Sequence, residues 1–503
     1  MKKIYLLIAL AVGLVSSCSM DTEPLGSLPE SEATQTPSDF KSLRRGLYSA
    51  LRLSVGGDNF NTPIDVQADQ FHATSVNSNT MGDLYRWDFT PQNDYVATVY
   101  SNYQATIARA NFIIDGYNKC DMSDETVFTP IEMDSVRMAK GDAFFARAYS
   151  IFMLSQYFCA DYEKETADEP NSGVSYRLDY APSSDPSTYP ARKTLRETMK
   201  QVTDDLDSAA LYITTKGSPS KKYYVTTDAI TALRARVALA MDDCLAAADY
   251  AASLVDESDF MLADGTDNIA KMWSDNGDAE TIFQINVGNA SNQYPSTSGM
   301  YYLVINDNVD FIPTATLLNL YSVNDKRFDA YFDVINIINT VGASASVFGF
   351  NKYPLETRLY GIYPSNDTRS LIEPKVFRIA EMYLIAAEGY AQAGELTKAA
   401  YYLNELEYNR IAGYTPQTFA SKDAIMQEIK NERQREMVGE GTRMFDLKRW
   451  HQPMQRGEAQ DESILGFTAT SYMTQPANAN RMTWPIPKNE TDLAKQIVQN
   501  PGY

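Results

Sequence analysis

Glu432 and Glu436 lie one helical turn apart in IMQEIKNERQREMVGEGTRMFDLKRW, where the apolar stripe of Ile425 and Ile429 runs on into them. Carboxylates at that spacing share a helix face and could divide acid and base roles, as glycoside hydrolysis requires. A carboxylate that faces a core must also find a cation, and Arg433, Arg435, Arg443 and Arg449 lie close by in sequence. The expectation is therefore a structural ion network in place of a catalytic pair. Other catalytic chemistry is poorly supplied: there is no HExxH, GxSxG or P-loop sequence, and the histidines are His72 and His451. Asp264, Asp267, Asp275 and Asp278 offer oxygen ligands for calcium, but their spacing fits no EF-hand. A solvated acidic face is expected there, with no metal site and no cofactor.

Aromatic side chains offer different chemistry, because the C–H faces of a sugar ring pack against aromatic planes. Trp87 sits with Tyr85, Arg86 and Asn93 in an irregular stretch, 54–97, rich in Asn, Thr and Asp. Tyr294, Tyr301 and Tyr302 lie in a second irregular stretch. These seven residues are the candidate ligand contacts, converging on one side of the molecule. Beside that reading stands burial in a core, the ordinary fate of a lone tryptophan.

Such loops need a rigid support, and the sequence supplies one. Val376, Ile379, Tyr383, Ala386, Tyr390 and Ala393 recur in steps of three and four up to Gly394, and Leu396, Ala399, Leu403 and Leu406 resume the pattern. This predicts two antiparallel helices resembling a tetratricopeptide unit, which needs stacked neighbours to bury its face. Partners are predicted at 98–158, from Tyr100, Tyr103, Ile107, Ala110 and Ile114 followed by Gly141, Phe145, Ala148, Phe152 and Gln156. Others are predicted at 195–255, where the stripe from Leu195 to Ile213 pairs with Ile230, Leu233 and Val237, the latter leading into Leu245, Ala248, Ala252 and Val255. The fold class is thus all-α, with loop-rich insertions. The predicted division is 1–17 signal peptide, 18–38 tether, 39–255 helical region, 256–375 loop-rich insertion laid on the scaffold, and 376–503 C-terminal region on the same single domain.

The 503 residues are 44% hydrophobic and carry a net charge of −21, a balance that suits a globular body and repels nucleic acid. Lys2 and Lys3, the apolar run from Ile4 to Val15, and Val15-Ser16-Ser17-Cys18 resemble a bacterial lipobox, with Cys18 the acylated residue. Buried acyl chains contribute ~0.8 kcal/mol per methylene, so lipid at Cys18 would tether the protein to a membrane. The remaining cysteines, Cys120, Cys159 and Cys244, have no metal-ligand spacing and are expected to be structural.

DSVRMAKGDAFFARAYSIFMLSQYF, DAETIFQI, NDKRF, RIAEMYLIAAEGY, LNELEYNRIAG, ERQREMVGEGTRMFDLKRW and the ending WPIPKNETDLAKQIVQNPGY resemble, in this order, the SusD/RagB family of lipoproteins. The resemblance implies a tetratricopeptide-bearing helical fold. It implies a lipid-anchored protein on the outer face of the outer membrane, and a non-enzymatic role capturing an oligosaccharide for a SusC-like, TonB-dependent transporter. A RagB-like peptide ligand is the alternative, and a surface glycoside hydrolase the weakest reading. Trp450 and Trp484 fall in the family's framework motifs and Trp273 just ahead of one, so all three are expected to be structural.

Overall fold

Most of the long helices begin at a residue whose side chain caps their free amide groups, in a computed structural model that describes residues 32–56, 61–287, 309–354, 358 and 372–503. Thr36 caps α1 (Pro37–Val55) in a capping box with Asp39, Asn93 caps α2 (Asp94–Lys119), and Thr129 caps α3 (Pro130–Phe158). Thr194 and Glu197 close a second box on α4 (Leu195–Tyr212). α5 (Thr227–Ala240) and α6 (Cys244–Glu257) follow, separated by a turn in which Asp242 has a φ of 55°. α7 (Ile379–Gln392) and α8 (Leu396–Arg410) form the tetratricopeptide-like hairpin, followed by α9 (Lys422–Met437) and α10 (Arg443–Arg449), with shorter helices such as Thr266–Trp273 between the main ones.

These helices form one stack. α1 lies on α2 and α3, α3 packs along α4, α5 pairs with α6, and α7 sits between α6, α8 and α9. Two details depart from the sequence reading. α5 folds against α6 at the Asp242 turn, so its main partner is its neighbour and α4 packs chiefly on α3; Leu245 is left exposed as a result. Val376 belongs to a strand, and α7 starts only at Ile379. Gly394 ends the hairpin's first helix as expected, with a φ of 84° that suits glycine. α7 approaches α6 tightly at Gly389, where an added Cβ would strike the carbonyl of Cys244 and come 2.9 Å from Ala248 Cβ.

Among the described residues every sheet has two strands. β1 (Phe71–Ala73) pairs with β3 (Phe311–Pro313), β2 (Thr281–Gln284) with β6 (Lys375–Arg378), and β4 (Phe332–Ile338) with β5 (Ser344–Phe350) as a hairpin. All pairs are antiparallel. β2 is buried along its whole length, and Phe283 meets Phe145 edge-on at 5.6 Å and Phe377 at 6.4 Å. The segment 256–375 was expected to lie on the scaffold, yet this part of it threads the core, because TIF is apolar on both faces. Continuous burial on both faces removes the alternation that marks a half-buried strand. The main hydrophobic core runs from Phe40 to Ile497, with two smaller clusters around Ile312 and Leu384. No described helix is long and apolar enough to cross a membrane.

Candidate ligand-binding site

β1 leaves the core at Ala73 and hands the chain to a loop that reaches α2 at Asp94. The loop is tightly determined. Asn79, Met81 and Trp87 all take left-handed φ values, 68°, 50° and 60°, which non-glycine residues adopt only where the surroundings fix them. Gly82 has no room for a Cβ, since Asn79 Oδ1 and Arg86 Nη1 occupy that space. Arg86 donates from Nη1 to Asn79 Oδ1 at 2.6 Å and from Nη2 to Asp83 Oδ1 at 3.0 Å, while its guanidinium lies 4.8 Å over the ring of Phe467. The other side of the loop is tied to the chain at 309–310. Asn77 Nδ2 donates to the Asp310 carbonyl at 3.2 Å, and Thr80 Oγ1 to its carboxylate at 3.3 Å. Burial pushes that carboxyl up, against the Thr80 hydrogen bond.

The result is a pocket of about 240 Å³ lined by 78–84 together with Asn93 and Tyr95. Its lining carries amides, hydroxyls and a carboxylate on a rigid frame. That set can donate to and accept from a ligand's hydroxyls or amides, and it has no nucleophile with a paired base.

The structure brings four of the seven candidate contacts together here, in different roles. Arg86 is partly exposed and does not itself line the pocket; its guanidinium bonds Asn79 and Asp83, which do. Asn93 uses its Oδ1 to cap α2, accepting from the amides of Tyr95 at 3.0 Å and Val96 at 3.3 Å, and its partly exposed side chain lines the pocket. Tyr85 and Trp87 lie beneath, 0% and 3% exposed. Tyr85 stacks under the Arg456 guanidinium at 3.7 Å and approaches His72 Nδ1 at 3.4 Å, while His72 Nε2 lies 2.9 Å from the Gly457 carbonyl. Burial brings the His72 imidazole down to about 4 and Arg456 to about 10. Tyr85 and Trp87 therefore support the loop from the core side. Tyr294, Tyr301 and Tyr302, like Cys18, lie outside the described residues. Asn79, Thr80 and Asp83 were not singled out from the sequence, although the run NTMGD is a dense cluster of turn formers.

The catalytic-looking glutamates are elsewhere and sealed off. Glu436 accepts from Arg378 Nη1 at 2.9 Å, Arg410 Nε at 2.9 Å and Arg327 Nη1 at 3.0 Å, and Glu432 receives Arg327 Nη1 at 2.5 Å and Arg435 Nε at 2.7 Å. Both carboxylates are 0% exposed, so no substrate reaches them. The three guanidiniums hold the Glu436 carboxyl well below its usual range despite its burial. An ion network was expected, but most of its cations were not. Arg327, Arg378 and Arg410 come from distant segments, whereas Arg433 and Arg449 pair with Asp446, and Arg443 with Asp69. In the acidic group, Asp264 and Asp278 are exposed as expected. Asp275 instead is buried against Lys375 Nζ at 2.7 Å and the Glu373 amide at 3.0 Å. Trp273 is buried with Lys352 4.4 Å over its ring, and Trp484 is buried beside Tyr157.

Two family models match the sequence. The SusD family matches residues 338–503, and a family described as starch-binding and associating with the outer membrane matches 28–239. No curated protein sequence matches. Solved structures share the fold across the whole length. A SusD superfamily protein from Bacteroides thetaiotaomicron superposes with a TM-score of 0.76 at 22% identity, covering 93% of this chain and 100% of that one. A SusD-like carbohydrate-binding protein from Bacteroides vulgatus gives 0.72 at 15% identity, covering 92% and 97%, and surface glycan-binding protein A from Bacteroides fluxus gives 0.70 at 20%, covering 93% and 100%. The chain belongs to the SusD family, whose two models together match residues 28–239 and 338–503.

Proposed function

We propose that this protein captures an oligosaccharide at the cell surface and delivers it to a SusC-like, TonB-dependent transporter, anchored to the outer membrane by lipid at Cys18. The observation that carries the reading is the rigid, polar pocket at 78–95, built on the core of a glycan-binding family and free of catalytic machinery. Asn93 with Asn79 and Asp83 would hold the ligand's hydroxyls, Arg86 would fix Asn79 and Asp83 in place, Tyr85 and Trp87 would support them from beneath, and Tyr294, Tyr301 and Tyr302 would add stacking planes. Hydroxyl-rich ligands suit this rim, because each charge-assisted hydrogen bond is worth ~1.5–3 kcal/mol.

The test is calorimetric titration of the mature body with a panel of oligosaccharides, with reducing ends assayed in parallel. Saturable binding without new reducing ends is the expected result. Binding of peptides alone would replace the ligand class, and released sugars would replace the mechanism. In cells, Cys18→Ala is expected to yield a folded protein released from the membrane fraction; retention there would contradict lipid anchoring.

A further inference from the structure

Asp161 and Glu163 follow α3, and His451 follows α10, far apart in sequence and adjacent in the fold. His451 Nε2 lies 3.1 Å from Glu163 Oε1 and 3.7 Å from Asp161 Oδ2, and the three donor atoms all fall within 4.8 Å of one another. Tetrahedral ligands at about 2.0–2.2 Å from a zinc ion stand ~3.3–3.5 Å apart, so the two imidazole–carboxylate separations bracket that edge. None of the three residues lines the pocket at 78–95.

The local charges point the same way. Among the described residues no lysine or arginine comes within ion-pair distance of either carboxylate, although the Asp161 side chain is only 20% exposed. The nearest buried cation, Lys448, donates to the carbonyls of Gln156 at 2.5 Å and Cys159 at 2.9 Å. Lys448 and Arg449 act on Asp161 only from beyond ion-pair distance, so His451 is the one cationic group in direct reach of both carboxylates among the described residues. All three line a cleft of about 540 Å³ shared with Asn171, Asn478, Asn480 and the cations Arg192 and Lys448, both of which spend donors on backbone carbonyls, and the cleft leaves open positions beside the three donors. One nitrogen and two oxygens suit a borderline ion such as zinc, whereas calcium and magnesium favour all-oxygen sets.

We propose that Asp161, Glu163 and His451 form a site for a divalent transition-metal ion, zinc by its donor set, with the cleft side of the ion open to water or a ligand oxygen. The sequence has only two histidines, and His72 has both ring nitrogens engaged in the interior, so an imidazole on bound zinc reports His451. Tag-free protein stripped with EDTA would be titrated with zinc, calcium and magnesium, and X-ray absorption recorded on the zinc-loaded sample. Expected are one zinc per chain, one imidazole in its shell, at least tenfold weaker calcium and magnesium binding, and at least a tenfold loss of zinc affinity in His451→Ala and in Asp161→Asn. Glu163→Gln, at an exposed residue that leaves the fold untouched, is expected to show the same loss. Absence of zinc binding, zinc binding that survives His451→Ala, or calcium binding of equal strength would each overturn the proposal.

Discussion

Replacing Glu436 by Gln removes the negative charge on which three buried guanidiniums converge and changes the side chain's shape very little. In the native protein its two oxygens accept from Arg327, Arg378 and Arg410, and all four side chains are at most 1% exposed. The amide would turn an NH₂ toward one of those donors and leave the cluster with an uncompensated charge. Removing one partner of a buried ion pair costs about 3–5 kcal/mol. At ~2.1 cal/mol/K per residue, unfolding 503 residues as one unit carries an entropy of about 1 kcal/mol/K, so the melting temperature should fall by about 3–5 °C. Scanning calorimetry on Glu436→Gln measures this, with Glu405→Gln on the exposed face of α8 as a control expected within ~0.5 kcal/mol of the parent. A shift below 1 °C would show that the network does not hold the segments together and would refute the reasoning. Oligosaccharide affinity of the folded variant should be unchanged, since Glu436 is sealed from solvent.

His72 is held neutral by burial, with a folded value of about 4 against about 6.5 when exposed. A depressed value means that the unfolded chain binds the proton first, so stability present above pH 6.5 is lost as pH falls toward 4, by about 3 kcal/mol in all. Denaturant midpoints of the parent and His72→Gln should converge across that window; parallel curves would contradict it. Gly389→Val should cost about 1–3 kcal/mol by forcing α7 off α6 at the Cys244 carbonyl, read as a lower melting temperature. An unchanged melting temperature would mean the two helices can part without loss.

The helical scaffold was legible because its evidence is local. Tyr100, Tyr103, Ile107 and Ala110 are all buried on one face of α2, as their spacing requires, and the α7–α8 hairpin ends and resumes around Gly394. What was illegible depends on contacts between distant segments. Nothing near Glu436 in sequence announces Arg327, Arg378 or Arg410, and nothing near Asp275 announces Lys375. Nor does composition separate a tryptophan that faces a ligand from one that supports a loop. Trp87 sits among polar residues in the sequence, yet the left-handed turns at Asn79 and Met81 and its own positive φ place its ring inside. The pocket itself was readable only as a cluster of turn residues, because its shape comes from the Arg86–Asn79–Asp83 bonds and the tie to Asp310.

The central claim, that a polar loop on a helical scaffold binds a glycan without altering it, is tested most directly by titrating parent, Arg86→Ala and Asn79→Ala proteins with the same oligosaccharide. Losing the charge-assisted bonds by which Arg86 positions Asn79 and Asp83, worth ~1.5–3 kcal/mol, corresponds to a tenfold or greater loss of affinity in Arg86→Ala, with a smaller loss in Asn79→Ala. Melting temperatures should stay within about 2 °C of the parent, as expected for side chains outside the core. Undiminished affinity in both variants, or new reducing ends in any of the three reactions, would contradict the account.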